Sequence, residues 1–288
     1  MERPAAAAAA RVAAGKPRLV QRIGRLRYLD VPASGKGRGA GTLVLIHGFP
    51  LNPSMWEPQL VLAERGWRIV VPELRGFGPG DSAAGDPPTM SIDDYAGDTI
   101  DLLDNLHIKD AVVCGLSMGG YTAFAMFRRA PTYFRGMVLA DTRSQGDSPE
   151  AVTNRKNMQQ LVREKGQDAV ADALVPKLLC DATRAGKPDV VQHLRKQIVS
   201  NSVESIVGAL TALMTRADST PMLQGLRIPV QIIVGDQDAL TPPALSEQMH
   251  HDIPGSQLAV IPGAGHMSNM EQPAAFNDAL GRFLDKRV

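Results

Sequence analysis

Two hydrophobic rhythms alternate along the chain. The runs "TLVLIH" (42–47), "RIVVPE" (68–73), "AVVCGL" (111–116), "GMVLAD" (136–141), "PVQIIVGD" (229–236) and "SQLAVIPG" (256–263) are nearly continuous in apolar residues, with little polar alternation. Strands buried on both faces read this way, and the pattern predicts a parallel sheet. Between the runs, "MWEPQLVLAERG" (55–66), "SIDDYAGDTIDLLDNL" (91–106), "MGGYTAFAMFRRA" (118–130), "PALSEQMHHD" (243–252) and "QPAAFNDALGRFLDKRV" (272–288) space their apolar residues helically. Strand and helix in alternation predict an α/β fold. The segment "RLVQRIGRLRYLDV" (18–31) alternates apolar and polar residues instead, and predicts an antiparallel hairpin at the sheet edge.

From Thr142 to about Asp218 the strand-like runs stop. "AVTNRKNMQQLVREKG", "QDAVADALVPKLL", "KPDVVQHLRKQIVS" and "VESIVGALTALMTR" read as four helices inserted between two strands. Such an insertion would lie as a cap over the strand ends, where open α/β sheets form their ligand crevice. The expected division is a tail over 1–17, a core over 18–141 and 219–288, and a helical cap over 142–218.

Composition narrows the picture. A chain of 288 residues, 44% hydrophobic, can bury one large core. Its 31 basic and 30 acidic residues leave a formal charge of +1, which gives no global field for nucleic acid or an anionic membrane. The expected partner is a small neutral molecule. The alanine-rich start "MERPAAAAAARVAAGKPR" lacks Leu, Ile and Phe and is interrupted by Arg11, so it reads as a low-complexity tail rather than a secretory signal. No apolar run has the length of a membrane span. The expected location is the cytoplasm, the expected state a monomer or homodimer. Cys114 lies in a buried strand and Cys180 far from it in sequence, so neither a disulfide nor a metal framework is expected.

The candidate chemistry begins at "CGLSMGG" (114–120). Its "GLSMG" matches G-x-S-x-G between a predicted strand and a predicted helix, the turn that lifts a nucleophilic serine to the tip of a strand. The chain enters and leaves that turn so closely that side chains would collide, which accounts for Gly115 and Gly119. Gly120 would let the next helix pack tightly. A serine hydroxyl needs a base, and the base needs an orienting group. In strand-turn-helix sites of this kind the order is serine, acid, histidine. "IIVGDQDALTP" ends a strand with Asp236 and Asp238, and "VIPGAGHMSNMEQP" ends the next with His266. Asp238 is the favoured acid, Asp236 a turn carboxylate, and Asp141 a second acid position read as structural. His107, His193, His250 and His251 fall on or beside helical segments, away from strand ends. "LVLIHGFP" contributes His47 and then Phe49, whose N–H can point at the reacting oxygen together with that of Met118. Trp56 and Phe49 lie near this loop and are candidates for the substrate lining. The apolar residues of the insertion, "MTRADSTPML" among them, suit either an apolar pocket or the insertion's own core.

Taken together, "HGFPLNPSMWEPQL", "VPELRGFGPGDS", "GLSMGG", "GDQDALTP" and "GAGHMSNMEQP" resemble the successive signature blocks of the α/β-hydrolase family. The likeness extends over nearly the whole chain after residue 18. It is greatest to the branch of carboxylesterases, acyl-homoserine lactonases, 3-oxoadipate enol-lactonases and cofactor-free perhydrolases. The resemblance implies a mostly parallel eight-stranded sheet flanked by helices, with a helical cap inserted between two strands. It implies Ser117 as nucleophile, His266 as base, Asp238 as acid and the Phe49 and Met118 amides as oxyanion hole, with neither metal nor organic cofactor. The implied activity is hydrolysis of short to medium or hydrophobic carboxylic esters through an acyl-serine. Lactone hydrolysis and perhydrolysis are the near alternatives; C–C bond hydrolysis and a non-catalytic receptor are the remote ones. Family members that use an aspartate nucleophile are set aside by Ser117. One departure is "RGFGPGDS", a residue or two longer than the usual Arg-Gly-x-Gly-x-Ser loop.

Overall fold

Each of the six apolar runs forms a strand in the computed structural model, which describes residues 21–23, 26–35, 40–78, 90–286 and 288. The expected tail over 1–17 and residues 79–82 of the "RGFGPGDS" loop lie outside the described residues. The strands are β1 (Gln21–Ile23), β2 (Leu26–Val31), β3 (Gly41–Ile46), β4 (Trp67–Glu73), β5 (Ala111–Leu116), β6 (Phe134–Ala140), β7 (Val230–Gly235) and β8 (Gln257–Ile261). They join in one sheet in the order β1-β2-β4-β3-β5-β6-β7-β8. The predicted edge hairpin is β1–β2; β2 also runs antiparallel to β4, and the strands from β4 to β8 are all parallel.

The unbroken apolar runs have a direct cause in the layers. Leu43 and Leu45 face one core with Trp56 and Phe276, while Val44 and Ile46, on the opposite face, join Phe124 and Tyr95. Alternate residues of one strand therefore need apolar character for two different cores. At the sheet edge the requirement relaxes: β8 is only partly buried and Val260 is 45% exposed.

The predicted helices form with small shifts of boundary. The segment Pro53–Arg65 is a 3-10 helix that contains Pro58 and ends at Gly66 in the left-handed region. Helix α1 (Ile92–Asn105) starts at a reciprocal cap, Ser91 taking the Asp94 N–H and Asp94 taking the Ser91 N–H. Helix α2 (Met118–Arg129) follows β5. Between β6 and β7 lie α3 (Pro149–Leu178), α4 (Asp181–Gly186), α5 (Pro188–Val199) and α6 (Val203–Met214). Gly166, at φ 75° and ψ −174°, interrupts α3 and divides it into the two helices expected there. The six-residue α4 has no counterpart in the sequence reading. Helices α7 (Pro243–Asp252), α8 (Ser268–Glu271) and α9 (Pro273–Lys286) complete the order.

Polar contacts seat the inserted helices on the strand ends. The Asn201 amide donates to Pro50 O at 2.7 Å and accepts the Gly78 N–H at 3.2 Å, and Gln197 accepts the Asn52 N–H at 3.3 Å. Cys114 and Cys180 are free and buried. Among the described residues, no helix is long and apolar enough to cross a membrane.

Candidate active site

Phe49, Ser117, Asp238 and His266 follow β3, β5, β7 and β8, so all four stand at the carboxyl ends of parallel strands. Ser117 has φ 53° and ψ −113°, a conformation that β-carbon-bearing residues rarely adopt. Its N–H donates to Ala140 O at 2.9 Å, and its carbonyl accepts the Thr142 hydroxyl at 2.8 Å. A Cβ at Gly115 would collide with the Gly119 carbonyl, and one at Gly119 with the Ile46 carbonyl. At Gly120 it would come within 2.6 Å of the Thr142 side chain. The three glycines thus let β3, β5 and α2 close around one strained serine.

His266 and Asp238 meet in the interior. Nδ1 of His266 lies 2.7 Å from Asp238 Oδ2, with the two side chains 2% and 0% exposed. The other partners of Asp238 come from its own turn: the Leu240 and Thr241 N–H groups donate to Oδ1 at 2.8 and 2.9 Å, and the Thr241 hydroxyl donates to Oδ2 at 2.6 Å. Burial alone would raise the Asp238 carboxyl; the charge and hydrogen bond of His266, with those of Thr241, bring it below its ordinary value. Burial would likewise lower His266, but the Asp238 carboxylate outweighs it and the imidazole sits above 6.5. The two shifts agree in direction, as an ion pair requires. Asp236 instead accepts the Gly263 N–H at 2.8 Å, linking two loops as a turn carboxylate.

Asp141 lies beside this pair. It is wholly buried, at φ 43°, with Oδ1 accepting the Gly235 N–H at 2.8 Å and Oδ2 hydrogen-bonded to Ser268. Burial, reinforced by the Asp238 charge, raises its carboxyl well above the ordinary value. His47 is a strut: Nε2 accepts the Leu74 N–H at 3.1 Å, which leaves the proton on Nδ1, 3.1 Å from Gly48 O. Burial lowers it to about 4, so it is neutral and ties the loop after β3 to the end of β4.

Ser117 and His266 line one cavity of about 650 Å³. Phe49 and Thr241 line it from the core, and Leu174, Leu178, Leu210 and Leu213 from the inserted helices. The insertion's leucines therefore serve the cavity, several while also buried in the core. Met118 opens α2, so its N–H has no carbonyl partner within that helix. Among the described residues the Phe49 N–H makes no hydrogen bond. Both amides stand at the strand tips that carry the cavity. Trp56 corrects the sequence reading: it is 0% exposed, packs on Phe276 with ring centroids 6.0 Å apart, and takes no part in the cavity. Its helix turns the indole toward the core between sheet and α9.

Thr142, Thr241, Ser268 and Glu271 were missed from sequence. Thr241 had a signal, since an aspartate two and three residues before free N–H groups forms this kind of turn. Among the described residues, no group of three or more His, Cys, Asp or Glu side chains is disposed to hold a metal ion.

A family model described as the alpha/beta hydrolase fold matches residues 41–273. A 3-oxoadipate enol-lactonase of Acinetobacter baylyi is 32% identical over 238 residues, covering 83% of this chain and 86% of that protein. A thermophilic esterase from Thermogutta terrifontis, solved with malate bound, superposes with a TM-score of 0.82 at 36% identity, covering 91% of this chain and 93% of the other. An enol-lactonase from Burkholderia xenovorans superposes equally, with a TM-score of 0.82 at 27% identity and coverage of 93% and 100%.

Proposed function

Because the chain belongs to the alpha/beta hydrolase family, we propose that it is a serine hydrolase of carboxylic esters, lactones included, acting through an acyl-serine. One observation carries the reading: His266, 2.7 Å from the buried Asp238, lines the same cavity as Ser117 in its strained turn. In this mechanism Asp238 accepts the hydrogen bond of His266 Nδ1–H, which keeps the proton there and leaves Nε2 as the base. Nε2 accepts the Ser117 proton as Oγ bonds to the substrate carbonyl carbon. The carbonyl oxygen becomes negative and is met by the N–H groups of Phe49 and Met118; loss of one such donor lowers rate by about 10²–10³. Collapse of the tetrahedral species breaks the bond to the leaving alcohol, which takes the proton from His266. Water, deprotonated by the same imidazole, then releases the acid and regenerates Ser117.

The helices between β6 and β7 act in this reading as a cap that supplies the leucine wall. The enol-lactonase relatives support including lactones, cyclic esters whose leaving alcohol stays attached to the acyl group. Two free cysteines suit a reducing compartment, and the cytoplasm is the proposed location.

The test is turnover of a p-nitrophenyl ester series from acetate to palmitate by wild type and Ser117→Ala. Short and medium esters should be cleaved by wild type, with kcat lower by on the order of 10⁵–10⁶ in the variant. Equal rates in the two proteins, or none in wild type, would overturn the reading.

A further inference from the structure

The cavity lining carries more charge than ester hydrolysis needs. Arg143, Arg155 and Lys177 line it, and among its described lining residues there is no aspartate or glutamate. Two of the three are held in place from behind. Asp147, its side chain 0% exposed, accepts Arg143 Nη2 at 2.8 Å, Arg155 Nε, and Arg216 Nη1 at 2.6 Å. Burial would raise the Asp147 carboxyl, but Arg155 and Arg216 hold it below its ordinary value, so it is ionised.

Three guanidinium groups thus share one carboxylate, and the surplus positive charge remains at the wall. Arg216 has partners besides Asp147: its guanidinium lies 4.2 Å from the Tyr121 ring centroid and donates to Gln145 O and Leu213 O, while its Nε is buried without a partner. Arg143 and Arg155 bond to Asp147 alone among the described residues. Beyond Asp147 neither has an ion pair among the described residues, and both line the cavity. A guanidinium's planar set of donors fits a carboxylate. Arg143 and Arg155 are also only 22% and 21% exposed at the side chain, where water screens a charge poorly.

From this geometry we infer that Arg143 and Arg155, braced by Asp147, form a carboxylate subsite, and that the substrate is an ester or lactone bearing a second, ionised carboxyl group. The inference rests on the ester-hydrolase reading and names its substrate class. The scissile carbonyl lies at Ser117 while the free carboxylate reaches the arginines across the leucine-lined space, so the two ends fix the substrate's direction in the cavity. Neutral esters of the same length fill the apolar part and leave the arginines unpaired.

Matched esters test this. Mono-p-nitrophenyl glutarate and p-nitrophenyl pentanoate place the charge on the acyl side; 4-butyryloxybenzoate and phenyl butyrate place it on the leaving group. In wild type, one anionic member should exceed its neutral partner in kcat/KM by roughly 10- to 100-fold, mainly through KM. Arg143→Gln and Arg155→Gln should each bring that ratio toward one, with thermal melting checking that each variant is folded. Ratios near or below one in wild type for both pairs, with turnover still dependent on Ser117, would overturn the subsite and leave the hydrolase reading intact. Glutarate binding to Ser117→Ala, followed by calorimetry, judges the subsite even if no ester is cleaved. Binding weakened by Arg155→Gln supports it; no binding overturns it.

Discussion

Two buried carboxylates, Asp141 and Asp238, flank one imidazole in opposite environments. Asp238 has His266 and three donors from the Thr241 turn, and is held below its ordinary value. Asp141 is raised by burial and then by the Asp238 charge, so of the two Asp141 keeps its proton to the higher pH. Asp238→Asn should therefore lower kcat on the order of 10⁴-fold by favouring the wrong His266 tautomer. Asp141→Asn, which leaves the His266–Asp238 hydrogen bond in place, should cost far less; equal losses would mean that Asp141 matters to the imidazole as much as Asp238 does. His266 must be unprotonated to accept the serine proton, and its pKa is raised above 6.5. The acid limb of a kcat/KM profile should have its midpoint above 6.5, and Asp238→Asn should move it down. At this scale much was legible. Glycines at 115 and 119 mark a turn only because side chains there would collide with backbone, and that constraint is local enough to read. Trp56 was misread because proximity in sequence to Phe49 does not reveal which way a helix presents its indole.

Helix α3 is two helices joined at Gly166, whose φ of 75° with ψ near 180° is accessible essentially to glycine alone. Nothing lies within 4 Å of the position a Cβ would take, so the cost of a side chain there is one of backbone conformation. Gly166→Ala should destabilise the protein by about 1–3 kcal/mol, read from urea denaturation at constant slope. No loss of stability would mean that the break relaxes into a continuous helix. The division into two helices was visible from apolar spacing. The short α4 was not, since six residues are too few for a periodic signal. The arginine cluster was equally hidden. Arg143, Asp147 and Arg155 lie close together in sequence at the start of α3, but Arg216, which follows α6, joins them only through the packing of helices, and a short run of charges in a polar segment does not itself mark a cluster.

For the molecule as a whole, the buried site ties stability to pH in three ways. The raised His266 value stabilises below 6.5 and is lost as pH climbs through the folded value; the lowered Asp238 value stabilises above 3.8 and is lost on acidification. Their joint contribution is complete between those limits. Asp141 has the opposite sign to Asp238: the unfolded chain ionises it near 3.8 while the fold keeps the proton, so stability drains away as pH rises from that point. The stability of Asp141→Asn minus that of wild type should accordingly grow with pH from 3.8 upward, measured by urea denaturation across the acid to neutral range. A constant difference would mean that Asp141 is ionised in the fold. The global arrangement was readable because each parallel strand needs apolar residues for two cores, whereas the seating of inserted helices depends on single contacts.

Those contacts include two beside His266, the proposed base. Met267, next to His266, donates its N–H to Leu178 O at the end of α3 at 3.1 Å. Glu271 accepts the Gly265 N–H at 2.7 Å and, with its other oxygen, the Cys180 N–H at 2.9 Å. One peptide bond and one carboxylate therefore belong at once to the roof of the cavity and to the loop that aims the imidazole. Under the proposed mechanism, any movement of these helices away from the strand ends would break both contacts and free the loop that aims His266, so access to the cavity and the aim of the base are coupled through one peptide bond and one carboxylate.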